Sequence, residues 1–137
     1  MAEAPAGGVR AAVDEFIHAF DRLEWQRFRR CFAPAVTVFF PFDTNPRRAD
    51  GKAEVEAGFK RFFDEVRAKA TGPSYLGLAP RGVTVRVWRD VALVTFHLDG
   101  VTGLPGTGRR TLLLERRAEQ WRIVHLHASN ITAPPGA

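Results

Sequence analysis

Cysteine is nearly absent from this chain of 137 residues, which contains only Cys31. An internal disulfide is therefore impossible, and we expect a reduced, cytoplasmic protein. Residues 1–8 lack the basic stretch and apolar core of a signal peptide. No apolar run approaches the roughly 20 residues that cross a bilayer. These absences predict a protein without a membrane partner.

The charge pattern offers little support for nucleic-acid binding. The net charge is +5, but the basic residues are scattered and cluster only in pairs such as Arg29-Arg30 and Arg47-Arg48. The chain has no recognisable nucleic-acid-binding motif, glycine-rich phosphate loop, dinucleotide fingerprint or serine elbow. We predict no nucleic-acid partner and no cofactor.

Apolar residues are abundant, at 45% of the chain, and eleven of them are phenylalanine. Helical spacing of these residues predicts helices over 8–23, from Trp25 to just before Pro34, and from Gly51 to about residue 70. β-Branched and aromatic residues predict a strand over 35–40. Alternating residues then predict four strands between 83 and 129, with a Gly/Pro-rich loop at 100–108.

Helices thus come early in the chain and antiparallel strands come late. This order is typical of the α+β class, with about three N-terminal helices packed on one face of a curved, mostly antiparallel sheet. We predict a single domain over residues 8–131, between a disordered tail at 1–7 and a C-terminal tail at 132–137.

The last predicted strand, 121–129, carries the main candidates for function. Side chains alternate along a strand, so His125 and His127 are expected on the same face as Trp121, Ile123 and Ser129. Two imidazoles among apolar residues are either groups of a binding pocket or structural hydrogen-bonding residues, and the sequence leaves both open.

The turn at 118–119 decides which residues face this strand. A two-residue turn pairs Glu115 with Arg122, which have opposite charges, and brings Arg110 opposite His127. A three-residue turn would shift every pair. In the first register, imidazole and guanidinium groups would together form a site for a carboxylate or phosphate.

Three sequence features resemble those of a known family. The most specific is Trp121-Arg122-Ile123-Val124-His125-Leu126-His127-Ala128-Ser129, which is close to a Trp-x-x-Val-His-x-His-x-Ser ending. The weaker two are Phe32-Ala33-Pro34 and Gly51-Lys52. Over residues 8–131 the chain resembles the nuclear transport factor 2 superfamily (NTF2-like), in particular SnoaL-like proteins and the association domain of calmodulin-dependent kinase. The resemblance implies a cone-shaped fold, a pocket between the first helices and the concave sheet face, and dimers formed through the sheets.

Ketosteroid isomerases of this fold place a general-base Asp before a Pro at the end of the first strand. They also carry an oxyanion-binding Tyr on the first helix. The matching positions here are Phe40, before Pro41, and Phe16. Phenylalanine neither accepts a substrate proton nor stabilises an enolate, so we expect no ketosteroid isomerase chemistry.

Other residues are weaker candidates for ligand binding. Asp43 follows the first strand, where a pocket mouth is expected, although a loop Asp also forms turns. Tyr75 is the only tyrosine, and Trp25 is a candidate for the pocket wall. The two histidines would begin a metal site only with a third ligand such as His18 or Asp43, and we predict none.

Two classes of function follow from these features: non-catalytic binding or assembly, and catalysis on a small molecule. We favour a small-molecule-binding protein whose hydrophobic pocket, bearing a few polar groups, holds a small apolar acid or carbonyl compound. The predicted ligand-binding residues are His125, His127, Arg110, Asp43, Tyr75 and Trp25. The alternatives are a small general acid–base enzyme of isomerase, dehydratase or cyclase type, and a non-catalytic association domain.

A homodimer is also expected. Leu113, Val124 and Leu126 are predicted to leave an apolar patch on the outer sheet face.

Overall fold

A computed structural model describes residues 6–101 and 104–131 of the chain. It has three helices and six strands: α1 Gly7–Asp21, α2 Trp25–Arg29, β1 Phe32–Phe39, β2 Ala49–Asp50, α3 Lys52–Lys69, β3 Arg81–Trp88, β4 Val91–Val101, β5 Leu104–Arg117 and β6 Gln120–Ile131. The strands form one sheet in the order β2-β1-β6-β5-β4-β3, in which only β1 and β6 run parallel. The predicted α+β class, with helices packed on a curved sheet, is confirmed.

Residues 1–5 and 132–137, which make up most of the two predicted tails, lie outside the described residues, and α1 already begins at Gly7. Among the residues described, none of the helices is both long enough and apolar enough to span a bilayer.

Phenylalanine rings fill the space between the helices and the concave face of the sheet. Phe28 is 1% exposed, and its ring centre lies 4.8 Å from that of Phe59 and 5.4 Å from that of Phe16. Val94 and Phe96 of β4 are buried beneath the helices as predicted, since alternation points them to one face. The interior of the cone is therefore mostly packed with side chains.

The loop predicted over 100–108 is largely wrong. Leu98 pairs with Gly108 and Asp99 with Thr107, so β4 and β5 continue through most of this segment. Gly108 is required by a close approach of two backbones, because a Cβ there would lie 2.6 Å from the Leu98 carbonyl oxygen. Glycine is typical of loops in a sequence, but here it allows two strands to approach closely.

A β-bulge at Val124 changes the two faces of β6. Glu115 pairs with Arg122 as predicted, across a two-residue turn whose residues both have positive φ. Leu114 then pairs with Ile123 but Leu113 with His125, which leaves Val124 as an extra residue. Every side chain beyond Val124 consequently points to the face opposite to that predicted.

Candidate functional site

Because of the bulge, alternate side chains in the second half of β6 point into the cone. Leu126 and Ala128 are buried there, although Leu126 was predicted on the outer face. Arg110 of β5 pairs with Ala128 and points to the same concave face, where it is only 7% exposed. Arg110 is the one buried charged side chain among the described residues.

Arg110 lies in the wall of a cavity whose other lining residues are apolar. Its volume is about 20 Å³, which is room for roughly one water molecule. The lining residues are Phe20, Val38, Phe40, Pro41, Phe42, Phe59, Leu76, Leu78, Leu98, Arg110, Leu126 and Ala128.

Among the described residues, the hydrogen bonds of Arg110 all come from one nitrogen. Nη1 donates to the carbonyl oxygens of Arg109 and Ser129, each at 3.0 Å, and to Asn130 Oδ1 at 3.1 Å. Within residues 6–101 and 104–131, no carboxylate lies close enough to form an ion pair with it. Burial lowers the pKa of Arg110 to about 10, so the group is still charged at neutral pH. A buried cation without a counter-ion is costly for the folded state, and an anion beside it would offset that cost.

One side of the cavity is closed by an irregular segment, residues 70–80, that lacks helix or strand. Leu76 and Leu78 of this segment line the cavity. Asp21, at the end of α1, holds the segment in place: its main-chain oxygen accepts from the Tyr75 amide at 2.8 Å, and its Oδ1 accepts from the Leu78 amide at 2.9 Å. The Ser74 hydroxyl also donates to the Asp21 carboxylate.

His125 and His127 lie on the opposite, outer face of the sheet. His125 Nδ1 is 2.7 Å from Thr37 Oγ1, and the ring of Phe39 lies 5.7 Å from His125 and 5.1 Å from His127. Burial, and then the neighbouring His127, lower the pKa of His125. The expected grouping of these histidines with Arg110 is therefore wrong, because the inserted Val124 turns them away from it.

The remaining candidates do not line the cavity. Asp43 is exposed in the segment after β1. Tyr75 is half-buried, and its ring centre lies 5.8 Å from the Arg67 guanidinium. Trp25, the first residue of α2, packs on Phe63 with a ring distance of 5.3 Å. In the described part of the chain, no three His, Cys, Asp or Glu side chains gather as a metal site would require.

Sequence reasoning missed the residues that close the cavity. Phe42 follows a proline outside any strand, and Leu76 and Leu78 lie in a stretch without periodicity. The only available signal was the recurrence of large apolar residues in segments without a predicted helix or strand.

Comparison with known proteins decides the family. The model of the SnoaL-like domain matches residues 9–134. The chain belongs to the SnoaL-like domain family. This result confirms the resemblance identified from the last strand.

Solved structures share the SnoaL-like architecture over nearly the whole chain. A proposed dehydratase of the NTF2-like family from Streptomyces avermitilis has 21% identity and a TM-score of 0.77, covering 93% of this chain and 96% of its own. An NTF2-like protein of unknown function from Pseudomonas putida KT2440 has 19% identity and a TM-score of 0.76, covering 93% and 89%. A proposed association domain of a calcium/calmodulin-dependent protein kinase type II from Thiobacillus denitrificans has 22% identity and a TM-score of 0.67, covering 90% and 94%. At these identities the likeness shows the fold alone, and no curated protein matches the chain.

In this SnoaL-like domain, Phe16 and Phe40, the positions that the resemblance matches to polar groups of ketosteroid isomerases, are packed rings. Phe16 is 3% and Phe40 is 8% exposed. The Phe16 ring packs edge-on against Phe32 at 5.9 Å, and that of Phe40 against Phe59 at 4.9 Å. Both are core residues, and neither supplies an acid or a base.

Proposed function

We propose that this SnoaL-like domain binds a small monocarboxylic acid with an apolar body in the cavity beside Arg110. The observation that carries the proposal is a buried guanidinium, without a carboxylate partner in the described residues, in an otherwise apolar wall. A buried charge is normally paired, so the missing partner is expected to come from a ligand.

The chemistry of Arg110 favours a carboxylate. Nη1 is occupied by three acceptors, whereas Nε and Nη2 have no hydrogen-bond partner among the described residues. Arginine presents its donors in a planar fork that matches the two oxygens of a carboxylate. The phenylalanine and leucine side chains around it would bury the apolar body of the acid.

The size of the cavity limits the ligand and its route of entry. A space of about 20 Å³ is too small even for a short fatty acid, so binding requires part of the wall to move. The segment that carries Leu76 and Leu78 is the candidate, because it has no helix or strand ladder and depends on Asp21 for its hydrogen bonds.

Binding is better supported than general acid–base catalysis. The lining residues include no carboxylate, imidazole, thiol or hydroxyl group. Arg110 is itself a poor proton donor or acceptor near neutral pH, since its pKa of about 10 is far from that range.

Titration calorimetry with hexanoate, cyclohexanecarboxylate and benzoate, each against its neutral amide, tests this function. We expect the parent to bind the acids and to bind the amides at least tenfold more weakly. The Arg110→Met variant is expected to show no binding of the acids. The matched control is Arg109→Met, since the neighbouring residue is exposed and points to the other face. Absence of binding by every acid, or equal binding by Arg110→Met, would refute the proposal.

We further propose that two copies pair through the outer face of the sheet. Phe39 and Leu113 are 37% and 36% exposed there. An exposed apolar patch on a sheet face favours an interface with a partner, and a second copy offers a matching patch.

A further inference from the structure

A second depression lies at the other end of β6, between the first half of α1 and the end of α2. It has a volume of about 760 Å³ and is called here the α1–β6 groove. Its floor is formed by Ile123 and Leu114, and its walls by Ala12, Trp121, Arg30 and Arg122. Trp121 is seven residues before Ala128 on β6, a separation of about 20 Å, so this groove is distinct from the Arg110 cavity.

Small and flat side chains keep the groove open. Ala11 and Ala12 face it from α1 with little bulk, and the indole of Trp121 is only half-buried. The edge of that indole abuts the start of α1, because a Cβ at Gly8 would lie 3.1 Å from Trp121 Nε1. An apolar floor beside an aromatic ring can accept an apolar side chain.

The charges of the groove are unbalanced. Arg27 donates two hydrogen bonds of 2.7 and 2.8 Å to Glu15 and one to Glu24, which also accepts from Arg22, so these four charges cancel. Arg30 is exposed and has no hydrogen-bond partner for its guanidinium in the described part of the chain. Arg122 donates to the Arg30 main-chain oxygen at 3.3 Å and to the Gln120 side-chain oxygen. Its guanidinium forms no ion pair with a carboxylate of a described residue, although Glu115 is its neighbour across the strand ladder. Two cations without acidic partners therefore lie together on one rim.

The one nucleophilic group in the groove is unsuited to chemistry. Burial raises the pKa of the Cys31 thiol to about 11, and its Sγ lies 3.5 Å from the Arg27 carbonyl oxygen. A protonated thiol is a poor nucleophile. The groove is accordingly equipped for non-covalent binding.

We propose that the α1–β6 groove binds an acidic peptide segment of another protein, in which at least two Asp or Glu residues flank one apolar residue. The carboxylates pair with Arg30 and Arg122, and the apolar side chain packs between Trp121 and the floor at Ile123. Tryptophan and arginine are the residues most enriched at the centres of protein interfaces. The unbalanced positive rim supplies the charge complementarity that selects an acidic partner.

Fluorescence anisotropy with a fluorescein-labelled pentapeptide, four acidic residues around a central leucine, tests this site. We expect Arg30→Gln/Arg122→Gln to weaken binding at least tenfold. The matched control is Arg47→Gln/Arg61→Gln, which removes the same charge from two exposed arginines outside the groove and is expected to bind like the parent. Replacing the central leucine of the peptide with serine should weaken binding severalfold.

A second variant tests the shape of the groove without changing its charge. Ala11→Gln adds bulk at an exposed helical position and is expected to weaken binding severalfold. Absence of binding by the parent, equal weakening by the two arginine pairs, or weakening by Arg110→Met alone would overturn the proposal. The last two outcomes would mean, respectively, that only net charge matters and that the peptide enters the Arg110 cavity.

Discussion

Arg110 lies opposite Ala128 and not opposite His127, because Val124 bulges out of the ladder between β5 and β6. One extra residue in β6 reverses the direction of every side chain after it. The bulge turns two imidazoles to the outer face and places the apolar side chains of Leu126 and Ala128 beside Arg110, which regular alternation along β5 already directs into the cone. A single backbone irregularity thus decides whether Arg110 lies beside apolar side chains, as in the proposed acid-binding cavity, or beside two histidines.

The first prediction concerns the cost of burying Arg110. Arg110→Met keeps much of the side-chain volume and removes a buried charge that lacks a counter-ion in the described residues. We expect the free energy of unfolding to stay the same or rise by about 1 kcal/mol, while acid binding is lost. Urea unfolding measures the change, with Arg109→Met as the control. A loss of stability above about 2 kcal/mol would mean that the guanidinium is structural.

Periodicity predicted the fold well because each element buries one face. The α1 stripe of Val9, Val13 and Phe16 and the alternation of Val94 and Phe96 in β4 are both retained in the structure. These patterns depend only on helix and strand geometry, which the sequence reports directly.

The site was predicted less well because it depends on register. Val124 is β-branched like Ile123 before it, and nothing in its residue type distinguishes a bulged position from a regular one. The sequence predicts Arg110 as a site residue, but uninterrupted alternation assigns it the wrong neighbours on β6. The closure of the cavity by Leu76 and Leu78 depends on hydrogen bonds to Asp21, a long-range contact without a periodic signal.

The second prediction concerns the protonation of His125. Its pKa is lowered from 6.5, mainly by burial and then by the neighbouring His127. A hydrogen bond with Thr37 raises the pKa, and the charge of Arg48 lowers it further. The folded protein therefore binds fewer protons at this site than the unfolded chain does just below pH 6.5, and stability falls as the pH drops through that range.

NMR titration of the imidazole resonances checks this directly. We expect His125 to titrate below 6.5, and His127→Gln to raise its pKa by removing a neighbouring positive charge. His18→Gln, at an exposed helical position, should leave His125 unchanged. A His125 pKa at or above 6.5 would contradict the prediction.

The third prediction concerns the homodimer. Leu113→Glu puts a charge into the proposed interface on the outer sheet face, where the side chain is 36% exposed in the monomer. Sedimentation velocity at micromolar concentration should show about twice the chain mass for the parent and one chain mass for the variant. Ala57→Glu, exposed on α3, is the control and should remain dimeric. A monomeric parent, or a Leu113→Glu dimer of unchanged affinity, would exclude this interface.

The last prediction concerns Asp21 as the anchor of the segment that closes the Arg110 cavity. In Asp21→Ala the Leu78 amide loses its side-chain acceptor, which lies at 2.9 Å, and the Ser74 hydroxyl loses its acceptor as well. The Tyr75 amide keeps its acceptor, because that is the main-chain oxygen of residue 21. Leu78 should then separate more often from the cavity, because few other hydrogen bonds hold this irregular segment.

Hydrogen exchange measures this opening without any ligand. We expect the Leu78 amide to exchange at least tenfold faster in Asp21→Ala, and benzoate to associate severalfold faster in stopped-flow mixing if it enters here. Asp14→Ala, exposed on the same helix, should change neither rate. Unchanged Leu78 exchange would show that Asp21 is not the anchor. Faster exchange with unchanged benzoate association would place the route of entry elsewhere, with Phe42 as the next part of the wall to test.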